Sequence, residues 1–326
     1  MTNPLISIAI ITYNQEFFIA KAIESVLKQE LNLDYELLIS DDASSDGTIN
    51  ILKSYKTKYP KKIRLIFNKT NLGPSENFHN LILKCKGKFI FLLEGDDFWT
   101  SMEKIQKQYE FLVDNPSYIA CSHRHMIVDE NDNILVDEYT GPGKSNLGEY
   151  TLNDFENYRY CGFFGTIAFR NVFLKKPEKL IPLNYLHNFI VDISLNLILV
   201  LNGPVFILNE NMAAHRILIK KGGTNFKSTI RRKNQVKNRL LYLDRLKQFA
   251  KENYNININF AKRNEKLFIE SILFMMRYPS KSNFSILIYV FLLNKDKIKL
   301  LRFILSKTSK IPAILLSQIK KEIRRI

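Results

Sequence analysis

Cysteine is scarce in this chain, with Cys85, Cys121 and Cys161 the three thiols among 326 residues. Three scattered thiols exclude a disulfide framework and a clustered zinc site, and they fit a reducing cytoplasm. Long apolar runs are also missing. The longest candidate, residues 286–293, falls far short of the ~18 residues that a membrane-spanning helix needs. Strand-forming residues begin at Leu5, so no secretory leader is expected. Two glycine signatures are absent as well. There is no Gly-x-Gly-x-x-Gly after the first apolar run and no Gly-x-x-x-x-Gly-Lys-Ser/Thr anywhere. A dinucleotide dehydrogenase and a P-loop enzyme are both disfavoured on that ground. Internal repeats and low-complexity segments are lacking too.

What is present has an ordinary globular balance, 46% hydrophobic and 25% charged, and enough length for one large domain or two smaller ones. The net charge of +16 is unevenly placed. Residues 295–326 hold ten Lys or Arg against Asp296 and Glu322. A basic tail of that kind predicts an anionic partner, either a nucleic acid or a membrane surface.

The first hundred residues alternate in type. Leu5-Ile6-Ser7-Ile8-Ala9-Ile10-Ile11 is a β-branched run ending in the polar Thr12-Tyr13-Asn14. Residues 16–28 carry apolar side chains at helical spacing. Further strands are predicted at 35–40 and 63–67, with helices at 48–59 and from about 75 to 84. A fourth strand is the apolar run Phe89-Ile90-Phe91-Leu92-Leu93. This β-α-β-α-β-α-β order predicts parallel pairing with right-handed crossovers. Polar residues stand at every strand end: Thr12 and Asn14, Asp41 and Asp42, Asn68, then Asp96 and Asp97. In a doubly wound sheet those ends lie along one rim, where ligands bind.

The fourth strand ends in Glu94-Gly95-Asp96-Asp97-Phe98-Trp99. Carboxylates crowded at the end of a buried strand are costly unless a positive charge sits among them. A hard divalent cation, Mn2+ or Mg2+, carrying a phosphate ligand meets that need. The alternative is a solvated acidic turn that caps the following helix.

Farther along, residues 104–113 are predicted helical and 118–128 extended. His123 and His125 alternate on that strand, which predicts a histidine pair on a polar sheet face rather than a metal site. Residues 139–149 are rich in Gly, Pro, Ser and Asn and are expected to form a surface connection. An aromatic turn, 161–170, enters another strand. Residues 188–201 are predicted to form an apolar helix with one acid, Asp192, inside it. Such an acid is either favoured by the helix dipole or catalytic. A short strand is expected at 205–208, with His215 and Arg216 beyond it and the basic, glycine-rich Lys220-Lys221-Gly222-Gly223 after that. From about residue 226 the pattern becomes basic and helical.

Thr12-Tyr13-Asn14, the run Asp41-Asp42-Ala43-Ser44-Ser45-Asp46-Gly47-Thr48, Asn71-Leu72-Gly73 and Glu94-Gly95-Asp96-Asp97-Phe98-Trp99 occur in that order. Together they resemble the family 2 glycosyltransferases of the surface-polysaccharide type, over roughly residues 4–225. The resemblance implies an α/β fold of the GT-A kind, a mostly parallel central sheet flanked by helices, here with a C-terminal helical extension. It implies a nucleoside-diphosphate sugar donor and a divalent metal. Thr12, Tyr13 and Asn14 would line the base and ribose, with Asn71 on the same donor-binding rim. Asp41 would accept from the nucleobase with Asp42 beside it. Asp96 would contact ribose or metal, and Asp97 would bind the metal. Asp192 matches the catalytic base, and His215-Arg216 matches a pair placed near the diphosphate or acceptor. Two positions depart from the family pattern. Val191 stands where an acid commonly precedes the base, and Leu218 to Lys221 occupy the stretch where a histidine usually follows.

The resemblance thus implies an inverting, metal-dependent transferase. It would move a sugar, most often from a uridine nucleotide in this family, to a hydroxyl of a growing surface glycan or lipid-linked saccharide. Residues 1–225 would form the catalytic domain, and 226–326 a basic helical region for a membrane or partner. A cytoplasmic location is expected, peripheral to the inner membrane face if the tail binds it. Rival readings are a sugar-nucleotide-forming nucleotidyltransferase and a non-catalytic nucleotide-sugar or nucleic-acid binder. The first lacks its glycine-rich, arginine-bearing loop after strand one. The nucleic-acid reading is opposed by the acidic rim, so no nucleic-acid partner is expected.

Overall fold

The computed structural model describes residues 5–139, 147–174, 191–218, 235–277 and 281–293. The chain divides into two compact units, one of residues 1–155, 159–231 and 252–255, the other of residues 156–158, 232–251 and 256–326. The Lys220-Lys221-Gly222-Gly223 loop, most of the Gly/Pro-rich connection and the tail beyond 293 lie outside the described residues.

The first unit is built on a ten-stranded sheet. Its opening half is the expected alternation: β1 (Ile6–Thr12), α1 (Ile19–Leu27), β2 (Tyr35–Asp41), α2 (Thr48–Lys58), β3 (Ile63–Phe67), α3 (Pro74–Ile82) and β4 (Phe89–Glu94). These four strands pair in parallel in the order β3-β2-β1-β4. β1 and the first five residues of β4 are buried throughout, as strands covered on both faces must be. Gly87, just before β4, packs against the β1 backbone so closely that a Cβ would overlap Ser7 and Ile6.

The second half mixes directions. It comprises β5 (Phe98–Trp99), α4 (Lys104–Asp114), β6 (Ala120–Val128), β7 (Ile134–Tyr139), β8 (Gly148–Tyr150), α5 (Leu152–Glu156), β9 (Ala168–Arg170), α6 (Val191–Asn202) and β10 (Val205–Arg216). β9 runs antiparallel to both β4 and β6, and β10 runs parallel to β6. β10 is the main departure from the expected short strand at 205–208. It continues to Arg216 because register shifts around Asn211 absorb the polar stretch and let Ala213 and Ala214 pair with β5. Such bulges bend a strand and re-aim its side chains. Here that bend carries His215 and Arg216 to the end of β4.

His123 and His125 also differ from expectation. Their face is a buried one, with 1% and 2% exposure, and His125 lies 4.3 Å from the Phe163 ring. Burial, reinforced by Lys104, holds the His123 imidazole well below its ordinary range. Burial with His215 pushes His125 down to about 3. Both are neutral core groups.

The second unit carries α7 (Gln235–Tyr254), α8 (Ala261–Arg277) and α9 (Lys281–Leu293), of which residues 252–254 at the end of α7 belong to the first unit. Leu246, Phe249, Phe260, Phe268 and Val290 are buried in it, with Phe268 and Phe291 in ring contact. No described helix is long and apolar enough to cross a membrane.

Candidate active site

The strand ends that the sequence places on one rim do meet there. Thr12 closes β1 with its hydroxyl 2.7 Å from Gln15 Oε1. Asn14 takes a left-handed conformation, φ 51°, which Asn tolerates better than most residues. Its amide donates to Ser44 Oγ and its side-chain oxygen accepts from Ser45 N, both at 2.8 Å. Tyr13, between them, is 42% exposed. The loop after β2 is thus bonded to the loop after β1 rather than free.

Asp41 is fully buried, and its carboxylate accepts from Ser44 N at 3.0 Å and from the Ser44 hydroxyl. Burial raises the Asp41 carboxyl and the Ser44 bonds oppose that rise. Asp42 is committed differently. Its oxygens accept from Leu72 N, Gly73 N and Asn68 Nδ2, each at 2.9 Å. Asn71 Nδ2 donates to the Asp42 carbonyl at 3.3 Å. These bonds bind the Asn71-Leu72-Gly73 loop to β2, so the Asp42 carboxylate serves the loop itself.

At the end of β4 the chain turns sharply. Gly95 fits where a Cβ would lie 2.8 Å from Thr12 Oγ1 and would also overlap Gln15. A larger residue would push the acidic turn off β1. Oxygens of Glu94 and Asp97 and a ring nitrogen of His215 all lie within 4.8 Å of one another. Asp97 is 1% exposed. It accepts from the Arg216 amide at 2.7 Å and lies 3.3 Å from His215 Nδ1. Asp192, in the first turn of α6, lies within electrostatic reach of Asp97 and His215.

The charges show what this cluster wants. Burial, then Asp97, Asp192 and Asp96, push the Glu94 carboxyl well above its ordinary range. Burial and Asp97 raise Asp96 to about 7. Burial also raises Asp192, against the pull of His215. For His215 burial works downward, but Asp97, Asp96 and Asp192 outweigh it and lift the imidazole to about 9. Three acids with elevated affinity for protons mark a site short of positive charge. Two carboxylates and an imidazole around one point are a donor set that a divalent cation such as Mn2+ accepts, so the residues fit a metal.

Arg216 sits at the same turn as His215. Its side chain, 2% exposed, donates Nε to the Asp96 carbonyl and Nη1 to the Asp129 carbonyl, both at 2.8 Å. Nη2 pairs with Asp132 at 2.6 Å. The guanidinium also lies 4.6 Å from the Phe18 ring centroid. Sequence reasoning missed Gln15, Ser44 and Asp132 as parts of this arrangement. Each is polar and follows a strand by a few residues, but their partners lie 3 to 111 residues away, and nothing local marks them. Glu94 was visible as one of the crowded acids without a role of its own.

The model of the family described as glycosyl transferase family 2 matches residues 7–175, just over half the chain. The putative glycosyltransferase EpsE of Bacillus subtilis is 33% identical over 138 residues, 42% of this chain and 46% of that protein. The putative teichuronic acid biosynthesis glycosyltransferase TuaG of the same organism is 33% identical over 116 residues, 35% of this chain and 45% of that protein. An uncharacterized protein of Mycobacterium tuberculosis, Rv1520, is 36% identical over 125 residues, 38% of this chain and 36% of its own length. The matched region spans less than half of each of these relatives. The crystal structure of S. aureus TarS residues 1–349 in complex with UDP-GlcNAc superposes with a TM-score of 0.62 at 17% identity, covering 88% of this chain and 79% of that one. The fold is therefore that of the GT-A enzymes, and with motifs, order and family match in agreement the chain belongs to glycosyl transferase family 2.

Proposed function

We propose that the protein is an inverting glycosyltransferase, moving a sugar from a nucleoside-diphosphate donor to a hydroxyl of a growing surface glycan or lipid-linked saccharide. The observation that carries this reading is the convergence of Glu94, Asp97 and His215 with Asp192 at the end of β4. Glu94, Asp97 and His215 would hold Mn2+ or Mg2+, with Asp96 beside them. When bound, such an ion neutralises the charge that builds on the departing diphosphate. The rim formed by Thr12, Tyr13, Asn14 and Asp41 would receive the nucleoside. Asp192 would take the proton from the acceptor hydroxyl as it attacks, and burial that raises a carboxyl suits it to that work. One displacement inverts the anomeric centre.

A uridine donor is favoured by the TarS complex with UDP-GlcNAc, whose fold this chain shares. A polymer acceptor of the teichuronic-acid or poly(ribitol-phosphate) kind is favoured by the names of two matched relatives, the teichuronic acid biosynthesis glycosyltransferase TuaG and a poly(ribitol-phosphate) beta-glucosyltransferase of Bacillus spizizenii. Residues 1–225 are assigned to catalysis. The basic stretch 226–326 is assigned to an anionic membrane surface, and loss of membrane association on deleting residues 281–326 is the corresponding check.

Thermal stabilisation by UDP with and without Mn2+ tests the donor and metal together. Asp97→Ala is expected to lose the Mn2+-dependent part. Asp192→Asn is expected to keep it while turnover falls 10²–10⁴-fold. Normal turnover by Asp192→Asn, or a product of retained configuration, would place the base elsewhere.

A further inference from the structure

Arg216 reaches the acidic turn of β4, and its surroundings raise a question of charge balance. Its backbone amide donates to Asp97 Oδ1 and its Nε to the Asp96 carbonyl. Its terminal nitrogens point away from the carboxylates, into the turn that joins β6 to β7. There Nη1 meets the Asp129 carbonyl and Nη2 meets Asp132 Oδ1 at 2.6 Å. Asp132 has φ 68°, a conformation that Asp and Asn adopt more readily than other side-chain-bearing residues. That twist, closed by its amide on the Asp129 carbonyl at 3.2 Å, turns the carboxylate back toward β10. Its second oxygen pairs with Lys21 of α1 at 2.7 Å.

A buried guanidinium that loses its counter-ion seeks another. The carboxylates of Asp96 and Asp129 both lie within its electrostatic reach, and the turn at Asp96 and Asp97 already holds Arg216. A cation settled there would occupy the charge deficit that a metal otherwise fills. We propose that Asp132 is a positioning residue: by neutralising Arg216 from outside the cluster, it keeps the guanidinium off Glu94, Asp96 and Asp97 and leaves them free for a divalent cation. This inference rests on the metal reading above. It assigns a role in metal affinity to a hairpin turn that is 35 residues from Asp97 in sequence.

Asp132→Asn is the decisive variant, because Asn keeps the left-handed turn and a hydrogen-bond acceptor and removes the charge alone. Mn2+ affinity, read from the free-ion signal in electron paramagnetic resonance on the full chain, is expected to fall about tenfold or more, the scale seen when residues behind metal ligands are changed. Lys21→Met, which leaves Asp132 to Arg216, is expected to keep the wild-type affinity within about twofold, on the scale of a surface ion pair. Wild-type Mn2+ affinity in Asp132→Asn overturns the proposal, and so does a lowered melting temperature without a change in affinity. If the wild-type chain itself binds no Mn2+, the metal reading fails and this inference fails with it. Those outcomes are distinct in the same titration.

Discussion

Lys104 offers a sharp test of the energetics of the first unit. It opens α4 and is fully buried. Its amine donates to Gln108 Oε1 at 2.6 Å and lies 4.1 Å from the centroid of Trp99 and 5.3 Å from that of Phe91. Among the described residues no carboxylate is bonded to it. Burial pushes the amine down from 10.5 to about 7, while the aromatic faces favour the charged form. Burial should win, because two rings return at most a few kcal/mol against the larger cost of stripping water from an ammonium. The unfolded chain then binds more protons than the folded one between pH ~7 and ~10.5, so stability rises with pH across that window. The fall from 10.5 to about 7 corresponds to ~5 kcal/mol, which is fully present as a penalty below pH ~7. Lys104→Met removes it and keeps the apolar stem. It strands Gln108 Oε1, at a cost of about 1–3 kcal/mol. The expected result is a net gain of ~2–4 kcal/mol at pH 6 that vanishes or reverses near pH 10. Urea unfolding followed by fluorescence reads this directly, since Trp99 is the single tryptophan of the chain and sits against Lys104. A variant less stable than wild type at pH 6, or a difference that does not change with pH, would show that the lysine is charged in the fold and held by the rings.

Two further outcomes follow from the rim. Asp42→Ala leaves Leu72 N and Gly73 N without their acceptor and Asn68 Nδ2 with Asn77 Oδ1 alone, so a loss of about 3 kcal/mol is expected in the same unfolding assay. Proteolysis within residues 68–74 should rise with it. Ala43 has φ 63°, where a Cβ is strained by ~1 kcal/mol. Ala43→Gly should raise the melting temperature slightly or leave it unchanged, and a marked fall would show that the Ala43 methyl packs more than its backbone strains.

The first four strands and three helices are legible in the chain because their signals are local. A β-branched run such as residues 6–11 has no helical period, and residues 19–27 have little else. Parallel pairing follows, since each crossover is long enough for a helix. The acids Asp41, Asp96, Asp97 and Asp192 are legible too, because charge at the end of an apolar run needs a purpose. The β10 continuation was not legible. Asn209, Glu210 and Asn211 look like the end of a strand, and only the bulged pairing with β6 carries it onward. The burial of His123 and His125 was hidden for a related reason, because what covers a sheet face comes from elsewhere in the chain.

Sequence alone therefore determined the strand–helix alternation of the parallel half, the family, and which acids stand at the strand ends, since these depend on residue type and spacing along the chain. Tertiary structure decided which polar groups face the site and which are consumed in holding it. Asp41 and Asp42 are adjacent and chemically identical, yet one keeps a hydroxyl partner at the rim and the other is spent on the loop at 71–73. Arg216 neighbours His215, yet its side chain is turned to a hairpin 84 residues earlier. Hydrogen-bond partners and counter-ions are set by distance in space, and that distance exists only once the sheet has formed.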